Sequence, residues 1–135
     1  MIEPLAIVNP PELGTPRGFA HGVITPPGGR LLFVAGQTAI DESGRIASDD
    51  ITHQFDRALE RVLAVVRAAG GEPAHIARMT VYVTDIARYR ASRPALGDVW
   101  RRHMGAHYPA MALVQVVELV DKGAAVEIEA TAVLP

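Results

Sequence analysis

The chain ends in the stretch Val126-Glu127-Ile128-Glu129-Ala130-Thr131-Ala132-Val133, in which apolar and polar side chains alternate as far as Ala132. This period of two is typical of a β-strand with one buried face. It predicts a strand over about Ala125–Val133, with Glu127 and Glu129 on the same side. A partly buried carboxylate on such a face has a raised pKa and can act as a base, whereas two carboxylates on an exposed edge strand would simply be solvated.

The segment before this strand predicts a neighbouring strand. Tyr108-Pro109-Ala110-Met111 leads into apolar residues, and a strand is expected over about Ala110–Val117. Near the start of the chain, Phe19–Ile24 and Arg30–Ala35 are predicted to form a hairpin. The reason is that Thr25–Gly29, between them, contains two prolines and two glycines, which are typical turn residues.

Two helices are predicted between these strands. Apolar residues recur at spacings of three and four over about Asp50–Ala69, and Gly70-Gly71 ends that helix. A strand over Ile76–Thr84 follows. The second helix comes after Asp85 and is interrupted near Pro94, since proline removes a backbone donor. The predicted order is β-β-α-β-α-β-β, in a single domain over residues 1–135.

Some of the predicted strands are apolar on both faces. In the strand that begins at Arg30, Leu31 and Phe33 point one way while Leu32 and Val34 point the other. Strands of this kind need cover on both sides. Two helices can cover only one side of the sheet, so the other side is predicted to contact a second copy of the chain.

The composition disfavours several classes of function. The 135 residues carry a formal net charge of -2 and no cysteine, so there is no basic excess for nucleic acid, no disulfide and no thiolate catalysis. No apolar run approaches the roughly 20 residues that span a bilayer, and the N-terminus lacks signal-peptide features, so a cytoplasmic protein without a membrane partner is expected. His103 and His107 are four residues apart, but Gly105 lies between them and no metal site is predicted.

A series of short motifs resembles the Rid family (YjgF-type reactive-intermediate deaminases). The motifs are Gly18–Gly22, Leu32–Gln37, Asp41-x-x-Gly44, Gln54, Ala69-Gly70, Met79–Asp85, Pro109-Ala110 and Val126–Val133. The resemblance implies an α+β fold of the chorismate-mutase type, with a mixed sheet that carries two helices on one face. It also implies a homotrimer with clefts between adjacent subunits, in which reactive imines or enamines are hydrolysed with release of ammonia and without a cofactor.

The functional positions of the family fall on three residues of this chain. The cleft arginine, which in the family grips a substrate carboxylate in a bidentate pair, falls on Met111. The tyrosine that lines the pocket falls on Phe19, and the glutamate that positions a water falls on Glu127. Methionine cannot neutralise a carboxylate, and phenylalanine has no hydroxyl group to donate.

Four further residues complete the predicted substrate-binding set. Gly36 and Gln37 end the second of the motifs, and His107 lies just before Pro109-Ala110. Arg93 stands where many family members have an asparagine near the cleft. From there the guanidinium could reach a substrate anion; the alternative is an arginine on a solvent-facing helix surface.

Two functions remain open on this basis. One is an imine or enamine deaminase of divergent specificity, in which Glu127 acts on water and the changed cleft wall favours more apolar or aromatic substrates. Activity on 2-iminopropanoate should then be weak or absent, because Met111 replaces the arginine. The alternative is a trimer that binds a small metabolite in its clefts without catalysis. RNA cleavage, a third function, is disfavoured by the acidic balance of the chain.

Overall fold

The computed structural model describes residues 5–135, along which nine helices and strands lie. In chain order they are β1 (Ala6–Val8), β2 (Gly22–Ile24), β3 (Arg30–Gln37), α1 (Ile51–Ala68), β4 (Ile76–Val83), α2 (Ile86–Ala91), α3 (Arg93–Met104), β5 (Ala110–Gln115) and β6 (Val126–Leu134). Single 3-10 turns occur at Pro11–Leu13 and Pro73–His75. The predicted α+β class is confirmed, and β1 is an addition to the predicted order.

Four strands form one mixed sheet in the order β3-β6-β4-β5. β6 is antiparallel to both of its neighbours, whereas β4 and β5 are parallel. A parallel pair needs a crossover connection, which α2 and α3 supply. β1 and β2 form a separate antiparallel ribbon, and the chain just before β2 is tied to β5 by the bond from Ala20 N to Pro109 O at 2.9 Å.

The predicted hairpin between β2 and β3 is wrong. β2 pairs with β1, while β3 pairs with β6 at six positions. A strand of three residues would offer β3 fewer hydrogen bonds than β6 does, and the pairing with β6 places Val34 in the core. The turn itself is present, with Gly28 at a φ of 83°. Turn residues predict where a chain reverses, not which strands then pair.

The helices cover one face of the sheet. Five apolar residues of α1 at helical spacing are completely buried, namely Ala58, Leu59, Val62, Leu63 and Val66. Asp50 caps α1 by accepting a hydrogen bond from Thr52 N at 3.0 Å. The predicted interruption near Pro94 is confirmed, since α2 ends at Ala91 and α3 begins at Arg93. Three helices therefore pack on this face where two were predicted.

The opposite face, called here the open face, is bare in the single chain. Its outward-pointing residues include Leu31, Phe33, Thr80, Tyr82, Val114, Glu127 and Glu129. Phe33 is 73% exposed, whereas Val34, the next residue in β3, is 4% exposed and lies in the core. The prediction that β3 is apolar on both faces is therefore confirmed. A second copy would cover this exposed apolar area, and the trimer itself stays a prediction.

A buried glutamine fixes the loop that precedes β6. Gln54 in α1 donates through Nε2 to the carbonyl oxygens of Ser48 at 2.8 Å and Gly123 at 3.0 Å. Its Oε1 accepts from Ala125 N at 2.7 Å. Breaking one of these bonds would leave a buried polar group unsatisfied, so the loop is held firmly against α1.

Candidate functional site

A groove between the helices and the parallel end of the sheet brings together three of the predicted residues. Met111 lies opposite Met79 in the β4–β5 ladder and so points to the helix side. Arg93, at the start of α3, and Phe19, before β2, reach the same place. Two adjoining hollows of about 490 and 280 Å³ share Arg17, Gly18, Tyr89, Arg93, Met111 and Leu113, and together they are called here the Met111 groove.

The floor of the Met111 groove is aromatic and apolar. The larger hollow is also lined by Phe55, Val81, Leu96, Gly97, Trp100 and Tyr108, and the smaller one by Phe19, Ile86 and Arg90. Trp100 and Tyr108 stack with ring centroids 5.7 Å apart and 5° between their planes. Burial raises the pKa of the Tyr89 hydroxyl, and the positive charge of Arg93 opposes that rise. The groove therefore suits an apolar ligand body.

Glu127 lies on the open face, on the other side of the sheet from Met111. It pairs with Tyr82 of β4, and its neighbours Val126 and Ile128 are fully buried on the helix side. The alternation predicted from the sequence is thus confirmed. Within one chain the sheet separates the Glu127 carboxylate from the Met111 groove.

Gly36 provides the space that the Glu127 carboxylate occupies. The register between β3 and β6 shifts between Val34 and Gln37, which brings the backbone at Gly36 close to β6. A methyl group at position 36 would lie 2.6 Å from Oε1 of Glu127, well inside van der Waals contact. Two residues predicted for the site from separate motifs are therefore neighbours.

The surroundings of Glu127 favour its protonated form. Burial raises the pKa of Glu127, and the negative charges of Asp121 and Glu129 raise it further. Both neighbours are engaged elsewhere: Asp121 accepts from the Thr38 hydroxyl at 2.5 Å, and Glu129 accepts from the Tyr82 hydroxyl at 2.5 Å. Within residues 5–135 no side chain or backbone group donates a hydrogen bond to Glu127 itself. Its oxygens are free to bind a water or a substrate.

The hydrogen bond of Tyr82 to Glu129 raises the pKa of the Tyr82 hydroxyl, with burial as a second cause. The proton therefore stays on Tyr82 at neutral pH. Glu129 is in this way a paired carboxylate, and Glu127, two residues earlier on the same face, is an unpaired one. The two glutamates, which strand alternation alone does not distinguish, differ in this respect.

Gln37 is folded back onto its own loop. Its Nε2 donates to Ala35 O at 3.3 Å, and its Oε1 accepts from Arg61 Nε at 3.1 Å. Arg61 also donates to Ile40 O at 3.4 Å. These bonds hold the end of β3 beside Gly36, and the role predicted for Gln37 in binding substrate stays a prediction.

His107 lies apart from the Met111 groove. Its Nε2 bonds to Ile76 O at 2.7 Å, and its own carbonyl oxygen accepts from Trp100 Nε1 at 3.1 Å. His103 instead bonds to Asp56 at 2.6 Å, so the two imidazoles do not converge. Across residues 5–135 no group of three or more potential ligands is placed to hold a metal ion, and no helix is long and apolar enough to cross a bilayer.

Five of the seven predicted residues thus divide into two groups, called here half-sites, and Gln37 and His107 belong to neither. One half-site, on the open face, contains Glu127 and Gly36. The other, the Met111 groove, contains Phe19, Arg93 and Met111. Sequence reasoning missed Arg17 in the groove, although its position two residues before Phe19 was a usable signal.

Comparison with known proteins agrees with this arrangement of elements. A family model described as endoribonuclease L-PSP matches residues 13–134. The crystal structure of YyfB from Yersinia pestis, a protein of unknown function in the conserved Rid protein family, superimposes with a TM-score of 0.86 at 30% identity and covers 98% of this chain and 100% of that one. The chain belongs to the Rid family.

Other Rid relatives have names that carry an activity or a ligand. The 2-iminobutanoate/2-iminopropanoate deaminase of Salmonella typhimurium is 31% identical over 105 residues, which are 78% of this chain and 80% of that protein. The crystal structure of TdcF from E. coli with bound serine has a TM-score of 0.69 at 32% identity, covering 90% and 92% of the two chains. The predicted Rid membership and chorismate-mutase-like fold are confirmed.

Proposed function

We propose that this Rid protein hydrolyses imines or enamines and releases ammonia, with Glu127 as the base that acts on water. The observation that carries the proposal is the Glu127 carboxylate, which is half-buried, unpaired among residues 5–135 and accommodated by Gly36. Relatives that carry the name 2-iminobutanoate/2-iminopropanoate deaminase support this class of reaction.

The chemistry needs one base and one water. Glu127 accepts a proton as the water oxygen bonds to the carbon of the protonated imine, and the nitrogen of the resulting carbinolamine then receives that proton. The carbinolamine hydroxyl gives its own proton to Glu127 as the C–N bond breaks, so that ammonia leaves and a carbonyl forms. An enamine enters the same sequence after a proton adds to its carbon and gives the imine. A raised pKa makes Glu127 a better proton acceptor and donor near neutral pH than an ordinary glutamate.

The complete cleft is proposed to form between two copies of the chain in a homotrimer. Glu127 and Met111 lie on opposite sides of one sheet, so a substrate can contact both half-sites only if each comes from a different subunit. The exposed apolar residues of the open face, Phe33 and Leu31, support an assembly that covers them.

The proposed substrates are more apolar than 2-iminopropanoate. Met111 and Phe19 offer no charge or hydroxyl to a small imino acid, while the aromatic floor of the groove offers contact area to a larger one. Activity on 2-iminopropanoate is accordingly expected to be weak or absent.

The test is ammonia release from imino acids that an amino-acid oxidase generates from alanine, leucine or phenylalanine. Wild type is compared with Glu127→Gln, and Glu60→Gln serves as the matched control, since Glu60 is exposed on α1 and pairs only with Arg57. The proposal requires turnover that is lost in Glu127→Gln and kept in Glu60→Gln. Equal turnover in all three proteins would rule out Glu127 as the base.

The alternative is a trimer that binds a small metabolite without turnover. The loss of polar groups at Met111 and Phe19 favours it, because a groove can keep its ligand while losing catalytic contacts. No ammonia release from any of the three imino acids, together with calorimetric binding of a carboxylate ligand, would establish this alternative.

A further inference from the structure

We infer that Arg17 and Arg93 form an anion-binding site at the rim of the Met111 groove, and that the groove takes a carboxylate ligand with a bulky apolar or aromatic body. This anion-binding site deepens the proposed function. That the ligand carries a reacting imine group rests on the proposed function, whereas the binding of the anion does not.

Two guanidinium groups from different elements converge on one concave surface. Arg17 belongs to the loop before β2, and Arg93 is the first residue of α3. Each of the two arginines nevertheless lines the larger and the smaller hollow of the groove. Arg90 adds a third positive charge at the smaller hollow. Among residues 5–135, no aspartate or glutamate lines either hollow. The local field therefore favours a negative ligand.

Arg17 and Arg93 have no protein partner in the part of the chain that the structure describes. Arg57, Arg101 and Arg102 each pair with a carboxylate there. Over residues 5–135, neither Arg17 nor Arg93 lies within ion-pair distance of any carboxylate. A guanidinium is permanently charged and presents a planar set of donors that matches a carboxylate, so two of them at one rim form a suitable receptor.

The surface beneath the two arginines is aromatic and apolar. This floor is formed by stacked Trp100 and Tyr108 together with Met111. The Trp100 Nε1 already donates to His107 O, so the indole presents its ring rather than a polar group. The larger hollow, at about 490 Å³, is within the usual range for small-molecule sites.

The position of the charges sets the orientation of the ligand. An arginine at position 111 would hold an anion on the floor of the groove. Arg17 and Arg93 are exposed side chains at its edge, so the anion stays at the rim and the apolar body lies on the floor. Met111 is therefore part of the surface that contacts the apolar body.

The test is calorimetric binding to the purified full chain with three probes. Phenylpyruvate has both the carboxylate and the aromatic body, pyruvate has only the carboxylate, and phenylacetone is the neutral counterpart. Arg17→Gln and Arg93→Gln are compared with wild type, and Arg57→Gln is the control with the same loss of charge. Light scattering and circular dichroism check that the variants keep the wild-type assembly and fold.

Phenylpyruvate should bind more tightly than pyruvate or phenylacetone. Arg17→Gln and Arg93→Gln should each weaken it by about tenfold to a hundredfold, the loss expected for a charge-assisted hydrogen bond, while Arg57→Gln leaves it unchanged. Equal binding by wild type and both groove variants, or no binding of phenylpyruvate, would overturn the inference. Neither result touches the requirement for Glu127 in ammonia release, so the inference and the proposed function can fail separately.

Discussion

Gly36 and Glu127 are so close that a methyl group on the glycine would lie 2.6 Å from Oε1 of the glutamate. The carboxylate is the end of a flexible side chain, and Gly36 does not have a positive φ, so Gly36→Ala should displace the carboxylate rather than unfold the chain. Displacing a catalytic group by about 1 Å can lower turnover by about a hundredfold. We expect ammonia release to fall by at least about tenfold with little change in melting temperature.

Gly22→Ala is the control for that variant, since its methyl group would meet Val8 Cβ at 3.5 Å, an ordinary contact. If Gly36→Ala retained full turnover, the contact between position 36 and the carboxylate would have no catalytic role.

The pH dependence of turnover should change when the negative charge of Asp121 is removed. The pKa of Glu127 is raised by burial and by Asp121 and Glu129, so the active, ionised form of Glu127 is lost at a pH above the ordinary value of 4.5. Asp121→Asn removes one negative charge, so the acid limb of the pH profile should move to lower pH. Glu118→Gln, in the exposed part of the same loop, is the control. An unmoved limb in Asp121→Asn would mean that Asp121 does not act on the catalytic group.

Stability should also depend on Glu127 in a defined direction. The pKa of Glu127 is higher in the folded chain than in the unfolded chain, so protonation of Glu127 stabilises the folded state. This contribution to the free energy of unfolding is fully present below pH 4.5 and is lost as the pH rises through the folded pKa. Glu127→Gln cannot ionise, so it should melt at a higher temperature than wild type at pH 7, and the difference should shrink towards zero at pH 4. A difference that stays constant between pH 4 and pH 7 would contradict the raised pKa.

Met111→Arg should create or raise activity on 2-iminopropanoate. The new guanidinium would lie on the floor of the Met111 groove, where a small imino acid can place its carboxylate, and a charge-assisted pair is expected to raise turnover by at least about tenfold. Leu113→Arg, on the same face of β5 two residues later, is the matched control. No gain in a variant that keeps the wild-type assembly would show that position 111 alone does not restrict the substrate.

Phe33→Glu should prevent the proposed trimer from forming. Phe33 is 73% exposed on the open face, so the change should leave the single chain folded while burying a charge in any interface that covers this face. We expect light scattering to give a smaller mass and ammonia release to fall in parallel, because the half-sites separate. Leu13→Glu is the control, as Leu13 is 60% exposed in a 3-10 turn away from the sheet. Wild-type mass for Phe33→Glu would argue against an interface on the open face.

The sequence predicted those elements whose signals are local. α1 matches the prediction to within a residue at each end because its apolar stripe is long and its cap and terminating glycines are adjacent to it. The interruption near Pro94 follows from proline chemistry at one residue. The pairing of β3 with β6 was missed because it joins segments about a hundred residues apart, and turn residues carry no information on such contacts.

The candidate site was predicted only in part, for related reasons. Glu127 and Gly36 belong to motifs, and the fold makes them neighbours. Arg17 is a loop arginine that periodicity does not mark; its position two residues before Phe19 indicates that it is close to the groove, but only the folded chain brings it beside Arg93. His107 adjoins a motif, and its ring bonds to the Ile76 carbonyl oxygen outside the Met111 groove; its role in binding substrate stays a prediction.

The separation of Glu127 from Met111 by one sheet has a consequence for the symmetry of the proposed assembly. A contact that joins one side of the sheet in one chain to the opposite side of the sheet in the next is head-to-tail, and because these sides point in opposite directions, two subunits alone cannot satisfy it at both ends. A pair would leave one open face and one groove without a partner. Closure into a ring removes both free ends, so a trimer built in this way contains one complete cleft per subunit and no exposed sheet face.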